Sequence, residues 1–238
     1  MRSEAESARQ AGQFGPDVYA GWRVSSLGEI TEALEHRLIL ELTGPLRNRF
    51  VLEVGCGDGT LLLVYGHNDA ARVAGCDTDP RMIGRARAQA TASDVRVDLA
   101  VARAQTLPFA DNSIDIVTCI TVLAFVPDAN NAVREMARVL RPGGRLVIGD
   151  LGKWSYWAAR RRVRGWLGAR LWRTARFRSA TEIASMVEDA GLAVGPIKGA
   201  IFFPPWTALA RLMAPFDRRL GELTTFGAAF VAIQAKKK

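Results

Sequence analysis

Three glycines at alternate positions, in the run Phe50-Val-Leu-Glu-Val-Gly-Cys-Gly-Asp-Gly-Thr60, follow a short apolar segment and precede another. A strand that ends in such a turn and then enters a helix lets the backbone come against a ligand where any Cβ would collide. A dinucleotide fold spaces its glycines G-x-G-x-x-G, to seat a pyrophosphate on a helix N-terminus. Here the spacing is G-x-G-x-G with Asp58 inside the loop. A carboxylate facing a pyrophosphate is repulsive, so the pattern favours a ligand of little negative charge. About twenty residues on, Ala74-Gly-Cys-Asp77 closes a second apolar run with an acid. Asp77 is placed to accept from both hydroxyls of a ribose. Its alternative, a helix N-cap before Pro80, suits Asp79 better.

Four motifs in order carry a family resemblance: Val51-Leu-Glu-Val-Gly-Cys-Gly-Asp-Gly59, Gly75-Cys-Asp-Thr-Asp-Pro-Arg-Met82, Leu107-Pro-Phe109 with Asn112-Ser-Ile-Asp115, and Val139-Leu-Arg-Pro-Gly-Gly144. Together they resemble the class I S-adenosylmethionine-dependent methyltransferases, and among them the ubiquinone and menaquinone biosynthesis subgroup. The resemblance implies S-adenosylmethionine as cofactor. It implies that Gly55, Gly57 and Gly59 line the methionine part, with Glu53 reaching the ammonium. Asp77 would bind the ribose, Thr78 and Met82 would flank the adenine with Ala104 nearby, and the backbone at Cys119 and Ile120 would face the methionine moiety. One position departs from the family: Arg103 stands where an acid usually accepts from the adenine amino group. Arginine has only donors, which leaves Gln105 or a backbone carbonyl to accept.

Methyl transfer from a sulfonium is an in-line displacement, so holding the nucleophile near the methyl supplies much of the acceleration. A phenol or carbon acid as acceptor needs a base, whereas a thiolate does not. The segment Thr121-Val-Leu-Ala-Phe-Val126 is apolar where many relatives carry a polar group, so no base is named there. His36 and His67 qualify only by residue type. Asp150, at the end of the fifth strand, and Tyr156, just beyond it, lie where strand ends face ligands, although Asp150 serves equally as a helix cap. Tyr19 and Trp22 precede the first long helix and read either as a cover over the site or as anchors of the terminus.

The elements needed to position these residues follow from pattern. Strands are expected at about 50–54, 72–77, 95–102, 114–120 and 145–150, with helices at about 59–66, 80–91 and 129–140 between them. Alternation of this kind implies an α/β fold with a parallel sheet. Ile30, Leu34, Leu38 and Leu42 recur at a spacing of four, a helix expected to pack on the sheet edge. Ser179-Ala-Thr181-Glu182 reads as a helix start before Ile183–Ala190, and Gly191 as its stop. Further strands are expected at 192–199 and 227–234, with a helix over Thr207–Met213 and a solvated tail at Lys236–Lys238. With the resemblance, this is a Rossmann-like seven-stranded methyltransferase sheet with helices on both faces and a small helical cap. One domain, 1–238, divides into an N-terminal helical cover (1–48), a cofactor-binding core (49–151), a basic aromatic cap insertion (152–178) and the C-terminal part of the sheet (179–238).

The chain has 238 residues, a net charge of +8, 49% hydrophobic and 24% charged residues, which excludes disordered, collagenous and coiled-coil classes. Its apolar runs are too short to cross a bilayer as helices. The first residues, Met1–Gln13, carry no secretion signal pattern. Cys56, Cys76 and Cys119 are scattered, which points to reduced thiols in a cytoplasmic protein rather than to a disulfide framework or a metal site. The arginines gather between Arg160 and Arg178, among Trp154, Trp157, Trp166 and Trp172. Read as one helix, Ala159, Val163, Trp166, Leu167 and Leu171 form a single stripe. That segment is either a solvated face or an interfacial helix making peripheral membrane contact.

The expected function is methyl transfer to a small, lipophilic or aromatic acceptor. The alternatives are a nucleic-acid methyltransferase, disfavoured because no Asn-Pro-Pro-Tyr type of motif is present, and a non-catalytic cofactor-binding module. Glycine spacing disfavours a dehydrogenase.

Overall fold

The computed structural model describes residues 21–238. Its seven strands are β1 (Phe50–Val54), β2 (Arg72–Asp77), β3 (Asp98–Val101), β4 (Ile114–Ile120), β5 (Leu140–Leu151), β6 (Leu192–Ala200) and β7 (Phe230–Lys237). They form one sheet in the order β3-β2-β1-β4-β5-β7-β6. Strands β1 to β5 run parallel, and β7 is inserted antiparallel between β5 and β6. The described helices are α1 (Ser26–Thr43), α2 (Thr60–His67), α3 (Pro80–Ala92), α4 (Ala129–Val139), α5 (Tyr156–Trp166), α6 (Arg170–Thr174), α7 (Ala180–Asp189) and α8 (Thr207–Leu223).

A parallel sheet buried on both faces needs two apolar layers. On one face Leu34, Leu38 and Ile39 of α1, Leu61 and Tyr65 of α2, Ile83 of α3 and Ala210 of α8 meet Val51, Val73, Ile116 and Val147. On the other, Val133 and Met136 of α4 and Ile183 and Val187 of α7 meet Leu52, Val117, Leu146 and Ile148. The helix α1 therefore lies on the sheet face over β5, β7 and β6 and not at the edge, because its broad apolar stripe needs a broad apolar surface.

The expected β1, β2 and β4 coincide with the observed ones. The third strand is shorter than expected. The fifth begins at Leu140: Ile114 pairs with Leu140 and Ile116 with Arg145, so the Arg141–Gly144 turn bulges out of register rather than ending the ladder. The last strand starts three residues later than expected and absorbs Lys236 and Lys237. Lys236 and Lys238 are exposed, as in a solvated tail, but Lys237 is not: its ammonium reaches the carbonyls of Ala137 (2.6 Å) and Leu140 (2.7 Å) at the end of α4. The expected helix at 207–213 runs on through Pro215 to Leu223, held by packing against β6, where Gly221 sits on the Gly199 backbone.

The cap also differs from expectation. Gly168, at φ +103°, separates α5 from α6, so the stripe of Ala159 to Leu171 does not exist as one helix. Trp157, Ala158 and Gly165 face inward instead, fixed by the Trp157 indole N–H donating to the Phe203 carbonyl at 2.7 Å. Val163, Trp166 and Leu167 point to solvent.

Candidate functional site

The strand order reverses between β1 and β4, and the crevice beyond the carboxyl ends there is where open α/β sheets bind ligands. The glycine loop leaves β1 at this point. Gly55 N–H and Cys56 N–H both donate to the Cys76 carbonyl, at 2.7 and 2.9 Å, which ties the loop to the end of β2. All three glycines have positive φ, 78°, 53° and 86° in order. A Cβ on Gly55 would lie 2.2 Å from the Val122 side chain and one on Gly59 2.8 Å from Ala86. At Gly57 a Cβ would meet nothing within 4 Å, so it is this backbone that faces open space.

Asp77 braces the loop. Its carboxylate accepts from Gly57 N–H (3.0 Å) and Asp79 N–H (2.9 Å), while burial raises its proton affinity. Each oxygen keeps acceptor capacity for a further donor. Asp79 caps α3 through Arg81 N–H, as expected. Thr78 is exposed and Met82 half-buried at the start of α3. Ala102 N–H donates to the Asp77 carbonyl (3.0 Å), and Thr106 N–H to that of Arg103 (3.0 Å), so Ala104 is buried in a tight turn beside β2 while the Arg103 side chain is exposed.

Glu53 is the unusual group. It is buried in β1, and its Oε2 has no hydrogen-bond partner. Desolvation, and then the charges of Asp58 and Asp77, push its pKa well above the carboxylate range. A buried acceptor left without a donor is rare, and a cationic donor would both satisfy it and offset the crowded negative charge.

Asp58 is answered from within the protein. Arg23 Nη1 donates to both its oxygens, at 3.1 and 2.8 Å, and the Thr60 hydroxyl donates at 3.0 Å. Arg23 also pairs with Glu32 on α1 (2.8 Å), and Glu32 lies 3.7 Å from His36. This string joining α1 to the loop has no local signature. Trp22, beside Arg23, is half-buried, and its carbonyl accepts from Ser25, the N-cap of α1. Tyr19 lies outside the described residues. One turn further along α1, burial raises the Glu35 pKa to about 7, with Arg161 opposing and Glu32 reinforcing. His36 is driven down to about 4 by burial and Arg23, so it is neutral at pH 7. His67 is exposed at the end of α2.

At the end of β4 the Cys119 thiol is buried in the core, and its pKa is raised by burial. Ile120 is half-buried. Thr121 follows with φ +55°, rare for a β-branched residue, and its N–H donates to Gly149 (2.7 Å). Strain of this kind gathers at ligand sites, and the turn aims Val122 at Gly55. Asp150 is fully buried and is not a helix cap, a role taken by Ser155. Its Oδ1 accepts from Leu151 N–H (2.9 Å) and its Oδ2 faces Arg178 at 3.6 Å. Tyr156 is exposed, its ring 6.3 Å from that of Trp206. The structure thus gathers Glu53, Gly55, Gly57, Gly59, Asp77 and the β4 exit at the carboxyl ends of β1, β2 and β4, with Thr78, Met82 and Ala104 at the β2 side, and leaves Asp150 beneath the cap.

A family profile described as a methyltransferase domain matches residues 52–148. The 27-O-demethylrifamycin SV methyltransferase of Amycolatopsis mediterranei is 37% identical over 143 residues, 58% of this chain and 52% of that protein. A ubiquinone biosynthesis O-methyltransferase of Xanthomonas euvesicatoria is 33% identical over 179 residues, 73% of this chain and 72% of that one. The chain spans about half the length of the first curated relatives it matches (52%). A solved S-adenosylmethionine-dependent methyltransferase from Thermotoga maritima superposes with a TM-score of 0.71 at 22% identity, over 95% of this chain and 97% of that one, which shows the same fold. By sequence and by fold the chain belongs to the class I S-adenosylmethionine-dependent methyltransferases, and S-adenosylmethionine is its cofactor.

Proposed function

We propose that this protein transfers the methyl group of S-adenosylmethionine to a small, lipophilic or aromatic acceptor. The observation that carries the proposal is the unsatisfied Glu53 carboxylate beside an open glycine backbone, a fit for an ammonium next to a chain of little negative charge. In this reading Glu53 takes the ammonium, Gly55, Gly57 and Gly59 lie along the methionine part with the Cys119–Ile120 backbone opposite, and Asp77 accepts from the ribose. Thr78, Met82 and Ala104 flank the adenine. A bound sulfonium supplies the electrophilic methyl. The chain supplies position, and the apolar β4 exit excludes water from a reaction in which positive charge disperses. The residues 1–238 act as one methyltransferase domain.

The acceptor class rests on the apolar run Val122–Val126 and on the aromatic cap. The 27-O-demethylrifamycin SV and ubiquinone-pathway relatives, named for small-molecule methylation, agree with it. Peripheral membrane contact is part of the proposal. Trp166 and Leu167 are each 82% exposed, between Arg160 and Arg164 on α5 and Arg170 on α6, a surface suited to anionic headgroups. Among the described residues no helix is long and apolar enough to cross a membrane. Three buried free cysteines suit a reducing, cytoplasmic setting.

Calorimetry with S-adenosylmethionine, S-adenosylhomocysteine and NAD tests the cofactor site, with binding expected for the first two alone. Transfer of a labelled methyl group into a cell extract tests activity. Label in an extractable small molecule supports the proposal, label in nucleic acid replaces the acceptor class, and tight cofactor binding without transfer to any fraction leaves a binding module.

A further inference from the structure

At the end of the sheet opposite the glycine loop, the start of β4, the 141–144 turn, β5 and the end of β7 enclose a cavity of about 310 Å³. Four cations line it, Arg49, Arg141, Arg145 and Lys236, against one carboxylate, Asp115. Ile116, at its floor, is four residues from Ile120, about 13 Å along a strand, so this is a separate place from the cofactor crevice.

The three arginines are held in place by the fold. Asp115 Oδ2 accepts from Phe50 N–H at 2.9 Å, which fixes the carboxylate. Its Oδ1 faces Arg49 at 3.3 Å and pairs with the Arg141 guanidinium, and one oxygen cannot occupy all the donors of two guanidinium forks. Arg145 lies against Gly44 and gives one donor to the Pro45 carbonyl at 3.4 Å. Arg145 and Lys236 are register partners across β5 and β7, so they project from the same face. Among the described residues neither has a carboxylate at ion-pair distance. Gly143, at φ +74°, leaves open space where a side chain would stand. Burial, then the neighbouring Arg49, lowers the proton affinity of Arg145, with Asp115 opposing.

Four positive groups and one negative leave three positive charges around a concave space of small-molecule size. We propose that this cavity is a second ligand site, one that binds a compact, multiply charged phosphate-bearing anion. Guanidinium forks match phosphate oxygens bidentately, and the ammonium of Lys236 adds a point charge at the rim. The phosphate belongs either to a free solute, such as a nucleoside diphosphate, or to a lipid headgroup.

The test is calorimetric titration of the full chain with sodium pyrophosphate at constant ionic strength. A saturable one-site isotherm is expected, weakened at least tenfold in the double variant Arg145→Gln/Lys236→Gln and left at parent affinity in the cap variant Arg160→Gln/Arg164→Gln. Binding of S-adenosylhomocysteine and the thermal transition of the double variant report whether it is folded; Arg141→Gln, at the exposed turn, serves if it is not. Competition by ADP assigns a free solute, and competition by phosphatidic acid vesicles alone assigns a headgroup. Absence of saturable heat overturns the proposal, as does equal weakening by the cap variant, which would reduce the effect to net surface charge.

Discussion

Glu53 carries a charge conflict that a ligand can resolve. With Asp58 and Asp77 nearby and one oxygen unsatisfied, the carboxyl holds its proton to higher pH in the folded chain than in the unfolded one. The ligand-free protein therefore loses stability as pH rises above about 4.5, the unfolded value. Glu53→Gln is expected to raise the melting temperature of the ligand-free protein at pH 7.5 while weakening S-adenosylhomocysteine at least tenfold. An ammonium would restore the ionised form, so ligand binding should release a proton, read by calorimetry in buffers of different ionisation enthalpy. A substitution that leaves both the melting temperature and the affinity unchanged would remove Glu53 from the site. Asp77→Ala should also weaken the ligand, by about 1.5–3 kcal/mol for a charge-assisted hydrogen bond. Gly55→Ala places a methyl on Val122 and strains a φ of +78°, and a loss of roughly 2 kcal/mol or more in urea unfolding is expected.

Among the elements, the cap is held by arginines that face inward. Arg178 donates to the Leu123 carbonyl at 2.7 Å and neutralises Asp150, while Arg161 lies over the rings of Trp157 (5.3 Å) and Trp172 (5.0 Å). Removing one partner of a buried pair strands the other, so Arg178→Ala should cost roughly 3 kcal/mol, and the double variant Arg178→Met/Asp150→Leu much less. A double-mutant cycle in urea checks the difference. The capping box of α7 was legible, because Ser179 and Glu182 stand three apart before an apolar run, and both reciprocal bonds form. The end of β7 was not. Three lysines look like a solvated tail, yet alternation along β7 buries Ala235 and turns the Lys237 ammonium onto the open carbonyls of α4. Lys237→Met is expected to lower stability by about 1–2 kcal/mol, whereas Lys238→Met should be neutral.

Over the whole molecule, buried acids dominate the pH dependence. Burial raises Glu35 to about 7 and Asp150 to about 6, so the folded chain binds more protons than the unfolded one between about pH 4 and 7. Stability should fall across that window as pH rises. The paired carboxylates Glu41, Glu135 and Glu182 shift downward and lose their contribution only below about pH 4.5. His36, driven down to about 4, works the other way and gains stability as pH rises towards 6.5, but it offsets only one of the buried carboxyls Glu35, Glu53 and Asp150. The melting temperature is thus expected to peak at about pH 4.5, where the paired carboxylates are ionised and the buried ones still hold their protons, and Glu35→Gln with Asp150→Asn should flatten its alkaline side. A profile that rises steadily to pH 8 would contradict this account. The outward face of α5 makes a separate prediction. Co-sedimentation with anionic but not neutral vesicles should fall with salt and with Trp166→Ala, and indifference to vesicles at low salt would assign these arginines to ordinary surface charge.

The sequence by itself determined the parallel core and the glycine loop, because both rest on neighbours in the chain. Apolar runs of strand length, glycines two apart and an acid at the end of the next strand are local patterns, and β1, β2 and β4 fall where those patterns put them. The tertiary structure alone decided what answers each charge. Arg23 reaches Asp58 across 35 residues, Arg178 reaches Asp150 from the far side of the cap, and Arg145 meets Lys236 only because β7 inserts between β5 and β6. A run of arginines has no inward or outward side until packing supplies one: a single indole bond at Trp157 and a left-handed turn at Gly168 divide the run between a buried layer and an exposed face.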